Sequence, residues 1–258
     1  MLKKKSLGQN FLKSTAYLHA IVDAAEVQKG DLVLEIGPGE GALTKELLAR
    51  GATVIAVEKD HRLIPYLQMI FDKEIYSKQF TLIEADALEL SAQDLIGKKD
   101  FKMVANIPYY ITGALLKKFL SEEERQPNTL VFLVQKEVAE RIAKSKKESI
   151  LSLSVKAYGE VKYVKTVPRG AFSPAPDVDS AILLVKDVSK KNFNNAAHEK
   201  KFFTLIKLGF GQKRKMLKKN IAGVFGDQTS EALTKVGIAE DARAEDVPLE
   251  KWLQLAGL

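Results

Sequence analysis

The chain has 258 residues, 46% hydrophobic and 28% charged, with no cysteine and three histidines. That apolar share excludes wholesale disorder, and the absence of thiols excludes disulfides, thiolate nucleophiles and Cys-ligated zinc. No run approaches the roughly 20 apolar residues of a membrane helix, and the basic start at Lys3 to Lys5 has no apolar stretch behind it, so neither a membrane span nor a signal peptide is expected. His19, His61 and His198 lie far apart with no obvious carboxylate partners, so no metal site is expected either. The balance is a protein expected in the cytoplasm.

Over the first two-thirds, short apolar runs alternate with helical patterns, as in a mostly parallel sheet with crossover helices. Residues 31–36 read as the first strand and 42–49 as the helix after it. Strands follow at 53–57, 80–83, 102–105 and 129–134, the last apolar enough to be covered on both faces. After a helix near 137–143 come two strands at 161–167 and 178–186, joined by the proline-rich turn 171–176 and expected to pair antiparallel. The prediction is an α/β, Rossmann-like domain over 1–188. Residues 189–195 are polar and read as a linker. Beyond them only helical periodicity remains (Phe202, Leu205, Ile206; Leu217, Ile221; Trp252, Leu255), which predicts a small all-helical domain over 189–258.

Forty Lys and Arg against 33 Asp and Glu leave a net charge of +7. Its distribution says more than its size. Between residues 200 and 219 stand Lys200, Lys201, Lys207, Lys213, Arg214, Lys215, Lys218 and Lys219 without a single acid. With Lys144, Lys146 and Lys147 and the N-terminal lysines, these clusters favour an anionic polymer as partner over plain surface charge.

Glu35-Ile36-Gly37-Pro38-Gly39-Glu40-Gly41 sits where a strand ends and a helix begins. Gly37 and Gly39 there let the backbone approach a ligand closely, and the following helix N-terminus adds amide donors. Glu58, directly after the second strand, is placed to take both hydroxyls of a ribose, and Asp86, after the third, to accept from an adenine amine. A helix cap is the lesser reading of each acid alone; together with the turn they describe an adenosine cradle. The spacing Gly-x-Gly-x-Gly differs from the dinucleotide pattern Gly-x-Gly-x-x-Gly. An acid-rich pocket suits a sulfonium better than a pyrophosphate, so S-adenosylmethionine is expected over a nicotinamide cofactor.

Asn106-Ile107-Pro108-Tyr109-Tyr110 ends the fourth strand. An adenine amine is a poor nucleophile because its lone pair is conjugated into the ring. The Asn106 side-chain oxygen and the Pro108 backbone oxygen can each accept one of its N–H bonds, and both bonds strengthen as the nitrogen becomes pyramidal and positive. Tyr109 offers a flat face to a base taken out of its stack.

Leu7-Gly8-Gln9-Asn10-Phe11-Leu12, the glycine turn, Val57-Glu58, Asp86, Asn106 to Thr112, Phe172-Ser173-Pro174-Ala175-Pro176-Asp177-Val178-Asp179-Ser180-Ala181, and Gly211 to Asn220 occur in that order. Together they closely resemble the ribosomal RNA adenine N6,N6-dimethyltransferases of the small-subunit, kasugamycin-resistance type. The resemblance implies methyl transfer from S-adenosylmethionine to two adjacent adenosines near the 3′ end of 16S rRNA in an immature small subunit, by an enzyme expected to be monomeric. By the same resemblance Asn10 and Leu12 close over the cofactor, Gly37 lies beneath it, Glu58 holds its ribose and Asp86 its adenine. Asn106 touches cofactor and target, Tyr109 and Phe172 stack on the target, and a basic helix, Lys213 to Lys219, grips rRNA phosphates. One departure is the stretch 143–152, richer in lysine and poorer in glycine than the family pattern, which leaves the RNA contacts of that region open. The alternatives are the resistance-type relative acting on one adenine of 23S rRNA and a non-catalytic rRNA-binding assembly factor.

Overall fold

The computed structural model describes residues 10–212 and 214–258; Lys3 to Lys5, Leu7 to Gln9 and Lys213 lie outside the described residues. Its first elements are the two-residue strand β1 (Phe11–Leu12) and helix α1 (Thr15–Ala24), which buries Leu18, Ile21 and Val22 along one face. The parallel unit then runs β2 (Leu32–Ile36), α2 (Ala42–Ala49), β3 (Thr53–Glu58), α3 (Ile64–Ile70), α4 (Asp72–Tyr76), β4 (Phe80–Glu84), α5 (Ala92–Ile96), β5 (Lys102–Asn106), α6 (Thr112–Lys117) and β6 (Thr129–Gln135). Helices α7 (Lys136–Ala143) and α8 (Ile150–Lys156) precede β7 (Glu160–Val167), β8 (Phe172–Ser173) and β9 (Ser180–Lys186).

The main sheet has the order β4-β3-β2-β5-β6-β9-β7. Its first five strands are parallel, and β9 is antiparallel to both β6 and β7. Every expected strand is present, with ends displaced by at most two residues, and the antiparallel closing pair is β7 with β9. β6 lies between β5 and β9, which explains its unbroken apolar run: Val131 and Leu133 join the core shared with α1, while Leu130, Phe132 and Val134 point to the other face. β3 and β5 flank β2 on opposite sides, so the strand order reverses there and opens a crevice at the carboxyl ends of the strands.

The chain falls into two compact units, one running up to Ala139 and again over Glu160–Val188, the other combining Glu140–Gly159 with Ser189–Leu258. One boundary lies at 188/189, and residues 140–159 go with the helical unit and not with the sheet. The reason is packing. Tyr158, fully buried, sets its ring 5.4 Å from Phe193 and 6.2 Å from Phe203, and its carbonyl accepts the Ser189 N–H at 2.8 Å. Asn192 donates to the Ala157 carbonyl at 2.9 Å, so the polar stretch 189–195 is anchored at Asn192 and Phe193. The remaining helices are α9 (Ala196–Gly209), α10 (Leu217–Phe225), α11 (Thr229–Lys235) and α12 (Leu249–Ala256), closing over Phe202, Leu205, Ile206, Leu217, Ile221, Leu233 and Trp252. A side chain at Gly209 would collide with the Trp252 ring, so glycine is what lets that indole pack against α9. Among the described residues no helix is long and apolar enough to cross a membrane.

Candidate active site

Asn10, Leu12, Gly37, Gly39, Glu58, Asp86, Asn106, Pro108, Tyr109 and Phe172 all line one cleft at the carboxyl ends of β2, β3, β4 and β5. Two segments distant in sequence reach it through a small second sheet. β1 pairs antiparallel with β8, with Phe11 opposite Ser173 and Leu12 opposite Phe172, and the Lys13 N–H donates to the Ala171 carbonyl at 2.9 Å.

The glycines of the turn after β2 do different work. Gly37 has φ +67°, and a Cβ there would meet nothing within 4 Å. It borders the cleft, so any side chain would take space from a ligand. A Cβ on Gly39 would come within 2.8 Å of the Phe11 ring, and one on Gly41 within 2.6 Å of the Phe71 ring. Those two are glycine because aromatic rings lie on them. Phe11 is thus a lining residue that reading the motif for Asn10 and Leu12 overlooks.

Glu58 is 6% exposed, with one carboxylate oxygen accepting the Gly39 N–H at 3.1 Å and the other the Asp60 N–H at 2.8 Å. Burial raises its carboxyl above the ordinary range, with the backbone N–H bonds acting against this. These bonds fix the carboxylate and leave lone pairs for a diol. Asp86 accepts the Leu88 N–H at 3.0 Å and the Lys59 ammonium at 2.5 Å. The lysine and the N–H hold its carboxyl below the usual value. Lys59 follows Glu58 directly, yet its pairing with Asp86 depends on β3 lying beside β4.

A third carboxylate was not anticipated. Glu35, on β2 one residue before Ile36, is 1% exposed and borders the cleft. Thr44 Oγ1 donates to its Oε2 at 2.7 Å, while Oε1 has no partner. Burial, with the Glu58 charge adding, pushes its carboxyl up to about 8. The available signal was an acid inside the apolar run Val33-Leu34-Glu35-Ile36. Around these acids the two lining lysines are already engaged, Lys13 with Glu40 and Lys59 with Asp86. A cleft lined by five carboxyls (Glu35, Glu40, Glu58, Asp60 and Asp86), paired lysines and an open glycine fits a cationic adenosyl sulfonium and does not fit a pyrophosphate.

At the tip of β5, Asn106 donates its amide N–H to the Asn10 carbonyl at 3.4 Å, leaving Oδ1 as the amide's acceptor. The Pro108 carbonyl accepts the Ile111 N–H at 3.2 Å and keeps a second lone pair. The Tyr109 hydroxyl bonds Ser180 Oγ at 2.6 Å, and burial raises its pKa above the ordinary phenol, so the ring is neutral and fixed. Phe172 is 6% exposed within the core cluster of Leu12 and Leu18, and so offers the cleft only a small part of its surface.

The basic residues belong to the helical unit. Arg214 and Lys215 are exposed in the turn between α9 and α10, and Lys218 and Lys219 stand in the first turn of α10. The expected continuous basic helix is therefore a turn followed by a helix. Asn220 holds that turn by donating to the carbonyls of Gly209 at 2.6 Å and Gln212 at 3.2 Å. Lys218 pairs with Glu240 at 3.3 Å. Two lysines and no acid open α10, against the preference of a helix N-terminus for negative charge. In the loop before α8, Lys147 is bound to Glu245 of its own unit.

The profile of the family "Ribosomal RNA adenine dimethylase" matches residues 1–258. The chain is 42% identical to ribosomal RNA small subunit methyltransferase A of Dehalococcoides mccartyi, covering 98% of this chain and 87% of that protein. It is 38% identical to the protein of the same name from Fusobacterium nucleatum, covering 98% and 96%. Among solved structures it is similar to the 23S rRNA methyltransferase ErmE, with a TM-score of 0.79, 28% identity and coverage of 96% and 98%. A dimethyladenosine transferase from Plasmodium falciparum follows at a TM-score of 0.77, 26% identity and 95% of each chain. With strand-end acids, the glycine turn and the Asn106–Pro108 tip in one cleft, and a match over its whole length, this chain belongs to the ribosomal RNA adenine dimethylase family and is an S-adenosylmethionine-dependent rRNA adenine dimethyltransferase.

Proposed function

We propose that this enzyme dimethylates the N6 amines of two adjacent adenosines near the 3′ end of 16S rRNA, within an immature small ribosomal subunit in the cytoplasm, as a monomer contributing to subunit biogenesis. The observation that carries the reading is the meeting of Asn106 and Pro108 with an acid-lined cleft at one strand tip. The small-subunit name of relatives at 38% and 42% identity supports 16S over 23S rRNA.

S-adenosylmethionine supplies an electrophilic methyl group on a sulfonium. Asn10, Leu12, Gly37, Gly39, Glu58, Asp86 and Asn106 would hold it. Asn106 Oδ1 and the Pro108 carbonyl take the two hydrogens of the adenine amine and turn its lone pair away from the ring. Their dipoles are fixed before reaction and gain most when the nitrogen becomes positive, so the stabilisation is electrostatic and preorganised. Tyr109, pinned through Ser180, carries the flipped base, and Phe172 backs it from the core side. No proton need leave before transfer, in keeping with a lining that contains no histidine.

The reading is tested by methyl transfer from labelled donor to unmethylated small and large subunits, with the product nucleoside identified by mass. N6,N6-dimethyladenosine in 16S rRNA is expected; label confined to 23S rRNA overturns the choice. Gly37→Val places a side chain in open space at positive φ. It is expected to weaken donor binding at least about tenfold, read by calorimetry, with a backbone cost of roughly 1–2 kcal/mol; unchanged affinity would put the donor elsewhere. Replacing Arg214 and Lys215 by alanine should weaken subunit binding and reduce the log–log salt slope by about 0.7–0.9 for each phosphate no longer neutralised. An unaltered slope would return these charges to solvent.

A further inference from the structure

Residues Tyr109–Ile111 form a single 3₁₀ turn. At about three residues per turn, successive side chains diverge by roughly 120°. Tyr109 therefore faces inward, tied to Ser180, while the next ring points elsewhere. Tyr110 is 69% exposed yet lines the same cleft, as does Lys59, whose side chain is 66% exposed. A ring at that angle to Tyr109 cannot share its base. The edge of the cleft thus presents a second flat apolar face, on the same lining as the Lys59–Asp86 pair, and an exposed ring of this kind receives a base.

We propose that Tyr110 is a second stacking platform, holding the nucleobase next to the adenosine that lies on Tyr109. This rests on the reading of rRNA as the strand that enters the cleft. Taking one base out of a stack leaves its neighbour with an uncovered face, and Tyr110 replaces the missing stacking partner. The platform holds the strand in register while the target amine is aligned with Asn106.

The test compares Tyr110→Ala, Tyr110→Phe and Tyr110→Trp with wild type on unmethylated subunits, with donor affinity measured separately by calorimetry. Tyr110→Ala is expected to raise KM for the subunit about 5- to 150-fold, the range expected when one base stack is removed. Its kcat at saturating subunit and its donor affinity should keep wild-type values, and Phe and Trp should restore KM. A wild-type KM in Tyr110→Ala overturns the proposal, and so does a loss confined to donor affinity, which would place the ring over the donor. The wild-type control separates the two readings. Were it to methylate only large subunits, the 16S assignment would fall, while the same KM comparison on those subunits would still decide Tyr110.

Discussion

Asn106→Ala is expected to lower kcat by about 10²–10³-fold, or ~2.7–4 kcal/mol of transition-state stabilisation. Its Oδ1 is the one amide atom not taken by the fold, because Nδ2 is bonded to the Asn10 carbonyl. Removal of an acceptor that gains strength only as the amine becomes positive lowers kcat more than it raises KM for rRNA. Single-turnover methyl transfer with saturating donor and subunit measures the step directly. Melting temperature should stay near wild type, since Asn106 is only half-buried at the strand end. Turnover within a factor of roughly three of wild type would remove Asn106 from the chemistry.

Glu35→Gln is expected to stabilise the ligand-free protein at pH 8 and above by up to about 4–5 kcal/mol, and to leave it little changed near pH 4.5. In the folded chain the Glu35 carboxyl is pushed up to about 8 from 4.5 by burial, with Oε1 unpaired. The folded state therefore holds a proton that the unfolded chain has already lost. The stabilisation due to that proton is complete below about pH 4.5 and is lost as pH rises to about 8. Glutamine carries no charge to desolvate and still offers an acceptor to Thr44. Denaturant unfolding at several pH values measures this, as a difference between variant and wild type that widens with pH. Parallel curves would mean that Glu35 is ionised in the fold.

Elements legible in the sequence share one property: their pattern is local. β2 to β6 are apolar runs of strand length, and α2 repeats its buried Leu43, Leu47 and Leu48 at helical spacing. Helices α3, α4 and α5 are five to seven residues long, and α4 buries none of its side chains, so no periodicity announces them. The site divides the same way. Glycines, Glu58, Asp86 and Asn106 stand at strand ends and follow once the strands are placed. The covering of Gly39 by Phe11, the Lys59–Asp86 pair and the unpaired oxygen of Glu35 arise between segments, which no window of sequence contains.

Composition and spacing alone thus determined a parallel α/β unit with a helical companion, and the placing of the glycine turn, Glu58, Asp86 and Asn106 at four strand ends. Tertiary structure decided which segments meet there. It brought β1 to β8 and so set Phe11 and Phe172 at the cleft, and it drew residues 140–159 into the helical unit through Tyr158. The reason is energetic. A strand's alternation is set by its own side chains, whereas a two-residue bridge or a single buried ring is held by apolar burial against distant partners, which appears only when the chain closes on itself.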